Sequence, residues 1–265
     1  MTWRIGVDPI GEVQVKFSIL RKFDFKQVIL TRLLFLDLRI NKNILLIYIY
    51  SIKEFKMSQF AKPTGYFGKI LAKGMARGHK EFYKNALKTI DPKKDDIYLE
   101  IGFGSGIFIK KHMAHVSKIA GIDYSKDMVK LASDINKKLV DSGKAEFKQG
   151  YASKLPWADN KFTVVAAIEV FFFLNETEKT LKEIFRVLKP GGRLVIEMGF
   201  NKDDGVDHKR YIKKMGLRLY SGEEMENLLK KTGFNDIVID YYKAFWVPIK
   251  GYVVPKGMVV KGIKK

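Results

Sequence analysis

The chain has 265 residues, 46% of them hydrophobic, enough to bury a full core in one domain with a tail. It has no cysteine, which excludes disulfides, thiolate metal sites and a covalent cysteine nucleophile, and which fits a reducing, cytoplasmic interior. Its 49 basic residues against 29 acidic ones give a formal net charge of +20, but the lysines are spread rather than clustered, so nucleic acid is a possible partner that a solvated surface outweighs.

Residues 1–56 differ in pattern from the rest. Ile29 to Ile52 alternates apolar clusters with Arg32, Asp37, Arg39, Lys42 and Asn43, so no uncharged run reaches the length of a membrane span. The apolar run Ile44 to Tyr50 lies too far from the N-terminus for a signal peptide. Residues 1–56 are expected to be an atypical extension, poorly ordered or not native, with Met57 as the physiological start; a membrane-surface or partner-binding extension is the alternative. Residues 57–96 are expected to form a lid and a packing helix. Gly65, Gly68, Gly74 and Gly78 make the first part flexible, and Phe82, Tyr83, Ala86, Leu87 and Ile90 keep helical spacing in the second.

The segment Tyr98 to Gly106, YLEIGFGSG, carries the most information. Tyr98, Leu99 and Ile101 predict a strand covered on both faces, with Glu100 its only charge. Gly102, Gly104 and Gly106 let the backbone turn and approach a ligand closely. A helix is expected from about Phe108 to His115, its free N–H groups facing that ligand. The glycines fit neither G-x-G-x-x-G nor the Gly-Lys-Ser/Thr ending of a phosphate loop. Ile119 to Ile122 predict a second strand ending at Asp123, where a carboxylate can accept both hydroxyls of a ribose. Ser125 then caps a helix whose Met128, Leu131, Ala132, Ile135 and Leu139 share a face.

Farther on, Ala167 to Leu174, AIEVFFFL, ends a fourth strand, so Glu169 stands where open α/β sheets bind ligands. Asn175 and Glu178 form a capping-box pattern, and Leu181, Ile184, Phe185 and Leu188 line one helical face. Pro190, Gly191 and Gly192 end that helix before a fifth strand, Arg193 to Met198. Asn201 to Tyr220 is a polar stretch. Ser221 and Glu224 form a second capping box, Gly233 ends its helix, and Ile237 to Tyr242 and Met258 to Ile263 read as the last two strands. The basic and apolar run Lys250 to Lys265 could meet a membrane surface. His79, His112, His115 and His208 show no metal-ligand spacing, so no metal is expected.

In this order the segments resemble the class I S-adenosylmethionine-dependent methyltransferases of the type 11 group, and most of all the ubiquinone and menaquinone biosynthesis methyltransferases. YLEIGFGSG resembles motif I. FKQGYASKLPWADNKFTVV, Phe147 to Val165, resembles GDAxxLPFxDxSFDVV, and LKEIFRVLKPGGRLVI, Leu181 to Ile196, is close to L-x-E-x-x-R-V-L-K-P-G-G-x-L-x-I. The resemblance covers Lys80 to Met198. It implies an α/β, doubly wound, mostly parallel seven-stranded sheet with an antiparallel last strand, Rossmann-like, over residues 97–265.

It also implies S-adenosylmethionine as cofactor, held by Glu100, Gly102, Phe103, Gly104 and Gly106 around the turn, by Asp123 and Tyr124, and by Tyr151, Ala152 and Glu169. Tyr151 replaces the family's acidic adenine contact: Ala152 can offer its backbone N–H to the ring, while Tyr151 stacks or packs. Glu169 has three roles open, as a base, as a holder of the cofactor's amino group or as a loop cap. No residue is assigned as catalytic, because the electrophile arrives activated and alignment does most of the work. Tyr66 or Phe67 of the lid could touch the methionine moiety. Phe171, Phe172 and Phe173 form either an apolar rim for an aromatic, quinone-like or lipid substrate or plain packing. The expected activity is methyl transfer to an O, N or C nucleophile of a small molecule. The alternative is a non-catalytic cofactor-binding or nucleic-acid-associated protein, or an RNA methyltransferase, of the same fold.

Overall fold

A computed structural model of the chain describes residues 5–7, 13–15, 79–209, 212–213, 216–243 and 256–265. The expected lid over 57–78 lies outside them, as does most of 1–56. The chain divides into two units, Met1–Ser51 and Ile52–Lys265. In the first, Ile5–Val7 pairs antiparallel with Val13–Val15.

The second unit is built on a seven-stranded sheet. Its strands are β1 (Ile97–Ile101), β2 (Lys118–Asp123), β3 (Ala145–Gln149), β4 (Phe162–Ile168), β5 (Leu188–Met198), β6 (Phe234–Lys243) and β7 (Lys256–Lys264). They lie in the order β3-β2-β1-β4-β5-β7-β6. The first five are parallel neighbours, while β7 runs antiparallel to both β5 and β6. Successive residues point to opposite faces, so β1 serves two cores. Leu99 and Ile101 pack with Val165, Ile196 and Ile184, whereas Tyr98 packs with Ala166, Val195 and Val259. Each fully buried Leu, Ile or Val among them contributes about 2 kcal/mol.

Helices cover both faces: α1 (Lys80–Ile90), α2 (Lys126–Ile135), α3 (Lys137–Asp141), α4 (Thr177–Val187) and α5 (Gly222–Thr232). As its spacing predicts, α1 buries Phe82, Ala86 and Ile90. The capping box of α5 forms, with Glu224 N–H donating to Ser221 Oγ at 3.1 Å and Ser221 N–H to Glu224 Oε2 at 2.9 Å. Gly233 closes the helix at φ +107°. Among the described residues no helix is long and apolar enough to cross a membrane.

Four local expectations are corrected. The helix after the glycine turn becomes a π-helix over Ile109–Met113 and stops before His115. The Met128 to Leu139 face is broken at Asn136, whose buried side chain donates to Gly106 O at 3.0 Å and Ala132 O at 2.9 Å and so competes with the helix ladder. The Asn175 and Glu178 box does not form; Glu176 is the N-cap, without a side-chain bond, and Glu178 pairs with Lys231 on α5 at 3.0 Å. Strand β5 starts at Leu188 rather than Arg193, because Leu188 already pairs with Phe162 ahead of a bulge.

The described part of the Lys250 to Lys265 run is likewise no membrane-facing segment. It is β7, inside the sheet, with Met258, Val259 and Val260 buried. The Lys264 ammonium donates to Phe185 O and Leu188 O at 2.7 Å each, and burial lowers its pKa.

The amino ends of the strands are tied by one polar network. Arg193 of β5 grips Asp96 with both forks, Nη2 to Oδ2 at 2.5 Å and Nη1 to Oδ1 at 3.1 Å, while its Nε donates to Ile90 O at 2.7 Å. Asp96 also accepts from Lys93 N–H and from the Thr163 hydroxyl, at 2.7 Å each, and that hydroxyl accepts from Ile97 N–H at 2.9 Å. Burial alone would raise the Asp96 carboxyl; Arg193 and these donors hold it below its usual range.

Candidate active site

The carboxyl ends of the strands carry the candidate site. Gly102, Gly104 and Gly106 all have positive φ, +66°, +53° and +70°, which a side chain would strain. Their surroundings separate them. A Cβ on Gly102 would stand 2.4 Å from Val170 Cγ2 and one on Gly106 2.8 Å from Ala132 Cβ, so these two glycines admit their neighbours. A Cβ on Gly104 would meet nothing within 4 Å among the described residues, so that glycine is open on their side.

Asp123, at the end of β2, fixes the turn. Its Oδ2 accepts from Gly104 N–H at 3.0 Å and its Oδ1 from Ser125 N–H at 2.9 Å. Burial pushes the carboxyl up to about 6 against the pull of those two amides. Two bonds leave lone pairs free on both oxygens, so Asp123 can still accept two hydroxyls.

A cavity of about 580 Å³ opens beside the turn, lined by Gly102, Asp123, Tyr124, Tyr151, Ala152 and Val170 among others. That volume suits a drug-sized ligand. Five of the ten residues singled out in the sequence therefore share one wall system. Gly104 adjoins it through Asp123. Phe103 is packed against Phe147 at 5.0 Å between centroids, and Gly106 against α2, so both sit in the scaffold of the turn. Tyr151 is 71% exposed, and its neighbour Ser153 donates a 2.6 Å hydrogen bond to Glu176; both of these residues also line the cavity. Of the three phenylalanines, Phe173 lines the cavity, while Phe171 and Phe172 pack against Tyr220 and Phe200 in the core.

Glu100 and Glu169 belong to a second group of side chains. Tyr98 OH donates to Glu100 Oε2 at 3.1 Å, and burial pushes that carboxyl up to about 8. Glu169 adopts φ +55°, donates its backbone N–H to Glu197 O at 3.0 Å and accepts from Gly199 N–H. Burial raises it to about 7. Glu197 was not among the residues the sequence singled out. It is fully buried, accepts from Tyr242 OH through Oε1, and has its carboxyl pushed well up by burial and by Glu169. Its signal in the sequence is a lone acid inside an apolar strand, the same signal that marked Glu100.

A third feature was not assigned from sequence either. In the polar stretch after β5, His208 Nε2 lies 2.6 Å from Asp204 Oδ2, with both side chains buried and His208 Nδ1 unpartnered among the described residues. Among the described residues no group of His, Asp and Glu could hold a metal ion.

Comparison with known proteins gives this geometry a family. The model of a methyltransferase domain matches residues 99–196, from β1 to β5. A Bacillus subtilis protein named as a putative methyltransferase, YrhH, is 32% identical over 128 residues, which cover 48% of this chain and 69% of the relative. The demethylmenaquinone methyltransferase of Lactobacillus johnsonii is 24% identical over 182 residues, 59% of this chain and 75% of the relative. Among solved structures, a phosphoethanolamine N-methyltransferase of Haemonchus contortus in complex with S-adenosyl-L-methionine superposes with a TM-score of 0.57 at 20% identity, over 70% of this chain and 52% of that one. With the strand order, the antiparallel β7 and the acid-clamped glycine turn, these likenesses lead to one conclusion: the chain belongs to the methyltransferase family and has its class I fold.

Proposed function

We propose that the protein transfers the methyl group of S-adenosylmethionine to a nucleophilic atom of a small molecule. The observation that carries this reading is the pairing of Asp123 with Gly104. One carboxylate clamps the glycine turn and keeps lone pairs for a ligand beside a cavity of about 580 Å³, and the glycine it clamps has no described residue against it. The residues fit the cofactor. Asp123 would take the ribose hydroxyls, Tyr124 and Ala152 would flank the adenine with Tyr151 at the exposed rim, and the backbone at Gly102 and Gly104 would leave room for the methionine tail.

The bound cofactor supplies an electrophile already activated as a sulfonium. The protein's part is to align the acceptor in line with the breaking bond and to exclude water. A cavity of about 580 Å³ is of the size that suits a small acceptor, and a cysteine-free chain is compatible with the cytoplasm. Calorimetry with S-adenosylhomocysteine, S-adenosylmethionine and NAD tests the cofactor, and labelled methyl transfer into fractionated metabolites, lipids and RNA tests the acceptor. Binding of the sulfur ligands but not NAD is expected. No binding of either sulfur ligand, or salt-dependent RNA binding with no methyl incorporation, would remove the reading.

A further inference from the structure

Strands β1, β4 and β5 are consecutive neighbours in the sheet, and their carboxyl ends bring Glu100, Glu169 and Glu197 together beside Tyr83 of α1, whose hydroxyl feels all three. What else faces this group is aromatic or acidic. Tyr98 and Tyr242 donate their hydroxyls, the Phe82 ring borders Gly199 beside Glu169, His79 stacks on Phe82 and Tyr83, and Glu81 acts on Tyr242. Among the described residues no lysine or arginine pairs with any of the three carboxyls.

Buried carboxyls without a cation are costly, and such groups are normally completed by one. Two further observations say that something completes these. Glu197 Oε2 is buried and has no hydrogen-bond partner among the described residues, an acceptor without its donor there. Glu169 is held at φ +55°, a conformation that strains a non-glycine residue and that concentrates at ligand sites. Glu169 is half-buried and directly precedes Val170, which lines the cavity. The acids are not spaced to ligate a metal ion, which leaves an organic cation, and the rings of Phe82, Tyr83 and Tyr242 offer faces that suit one.

We propose that Glu169 and Glu197 bind the ammonium group of the methyl acceptor, making the substrate a small primary or secondary amine; this rests on the methyltransferase reading above. Glu169 takes one proton from the ammonium. The freed nitrogen pair then forms the N–C bond while the C–S pair returns to sulfur, leaving a neutral thioether. An alkylammonium could instead be the cofactor's own methionine amino group, and the experiment separates the two.

Protein saturated with S-adenosylhomocysteine is titrated with isosteric amine and alcohol pairs, phenethylamine against 2-phenylethanol and ethanolamine against ethylene glycol, by thermal shift and by calorimetry in buffers of differing ionisation enthalpy. The amines alone are expected to raise Tm and to release protons on binding. Glu197→Gln and Glu169→Gln, checked for folding by circular dichroism, are expected to lose at least tenfold of the preference for amine over alcohol while S-adenosylhomocysteine affinity stays within twofold. If Glu197→Gln does not fold, Glu169→Gln carries the same comparison. A tenfold loss of S-adenosylhomocysteine affinity in either variant would assign the carboxylates to the cofactor and overturn the proposal. No amine-selective binding by the wild type would also overturn it. Failure of the wild type to bind S-adenosylhomocysteine would instead take away the methyltransferase reading beneath it.

Discussion

The two ends of the sheet treat charge in opposite ways. At the amino ends, the Asp96 carboxylate has a guanidinium, an amide and a hydroxyl on it, and its pKa falls. At the carboxyl ends, Glu100, Glu169 and Glu197 receive, among the described residues, two phenols and one amide, and their pKa values rise. The same residue class on the same strands therefore serves two purposes. Complete partners make a clamp that holds strands together, and incomplete ones leave capacity for a ligand.

The largest effect is expected where the clamp is broken. Arg193→Ala leaves Asp96 buried without its cation and should lower stability by about 3–5 kcal/mol, read from the urea midpoint. A loss under about 1 kcal/mol would mean that the amino end is no clamp. Next, Asp123→Ala removes the acceptor of two hydroxyls and should weaken S-adenosylhomocysteine binding by about 3 kcal/mol, on the order of a hundredfold. An unchanged dissociation constant would place the ligand elsewhere.

Third, the raised carboxyls make stability depend on pH. Burial raises the Glu100 carboxyl from its ordinary 4.5 to about 8 in the folded state, so its protonated form favours the fold. That contribution is complete below about 4.5 and is lost as pH rises through about 8. Glu100→Gln should accordingly flatten the fall in Tm between pH 5 and pH 8 and stabilise the protein at pH 8 by on the order of 1–3 kcal/mol. An equal slope in both proteins would deny the contrast between the two ends. The smallest effect belongs to Tyr151→Ala. With its side chain 71% exposed, S-adenosylhomocysteine affinity should change less than about twofold, below roughly 0.5 kcal/mol. A tenfold loss would show that the ring stacks on the bound base.

Much of this contrast was legible in the sequence, and the illegible part has a common cause. The glycine turn, Asp123, the box at Ser221 and the strands β1, β2 and β4 are written in short-range patterns, period-two burial and turn chemistry, that need no knowledge of distant partners. Glu100 and Glu169 could be picked out as acids at strand ends. Glu197 carries the same signal, a lone acid in an apolar strand, but the partner that sets it apart is Tyr242, 45 residues away on β6. The break at Asn136 depends on Gly106, 30 residues away, and the seat of Lys264 on carbonyls more than 70 residues away. The missing box at Asn175 has the same origin, since Glu178 is drawn to Lys231 on another helix. The division of the three phenylalanines, two into the core and one into the cavity wall, likewise needed Tyr220 and Phe200 in place.

The position of β7 bears on how the chain is made. β7 follows β6 in the sequence yet lies between β5 and β6 in the sheet, so β6 has no strand to join until Lys256–Lys264 exists. On a ribosome, which adds residues from the amino end, the five parallel strands can assemble first, while β6 and the open edge of β5 wait in solution. A chain stalled before Lys256 should therefore be cut by protease within Phe234–Lys243, and the complete chain should resist at the same bonds.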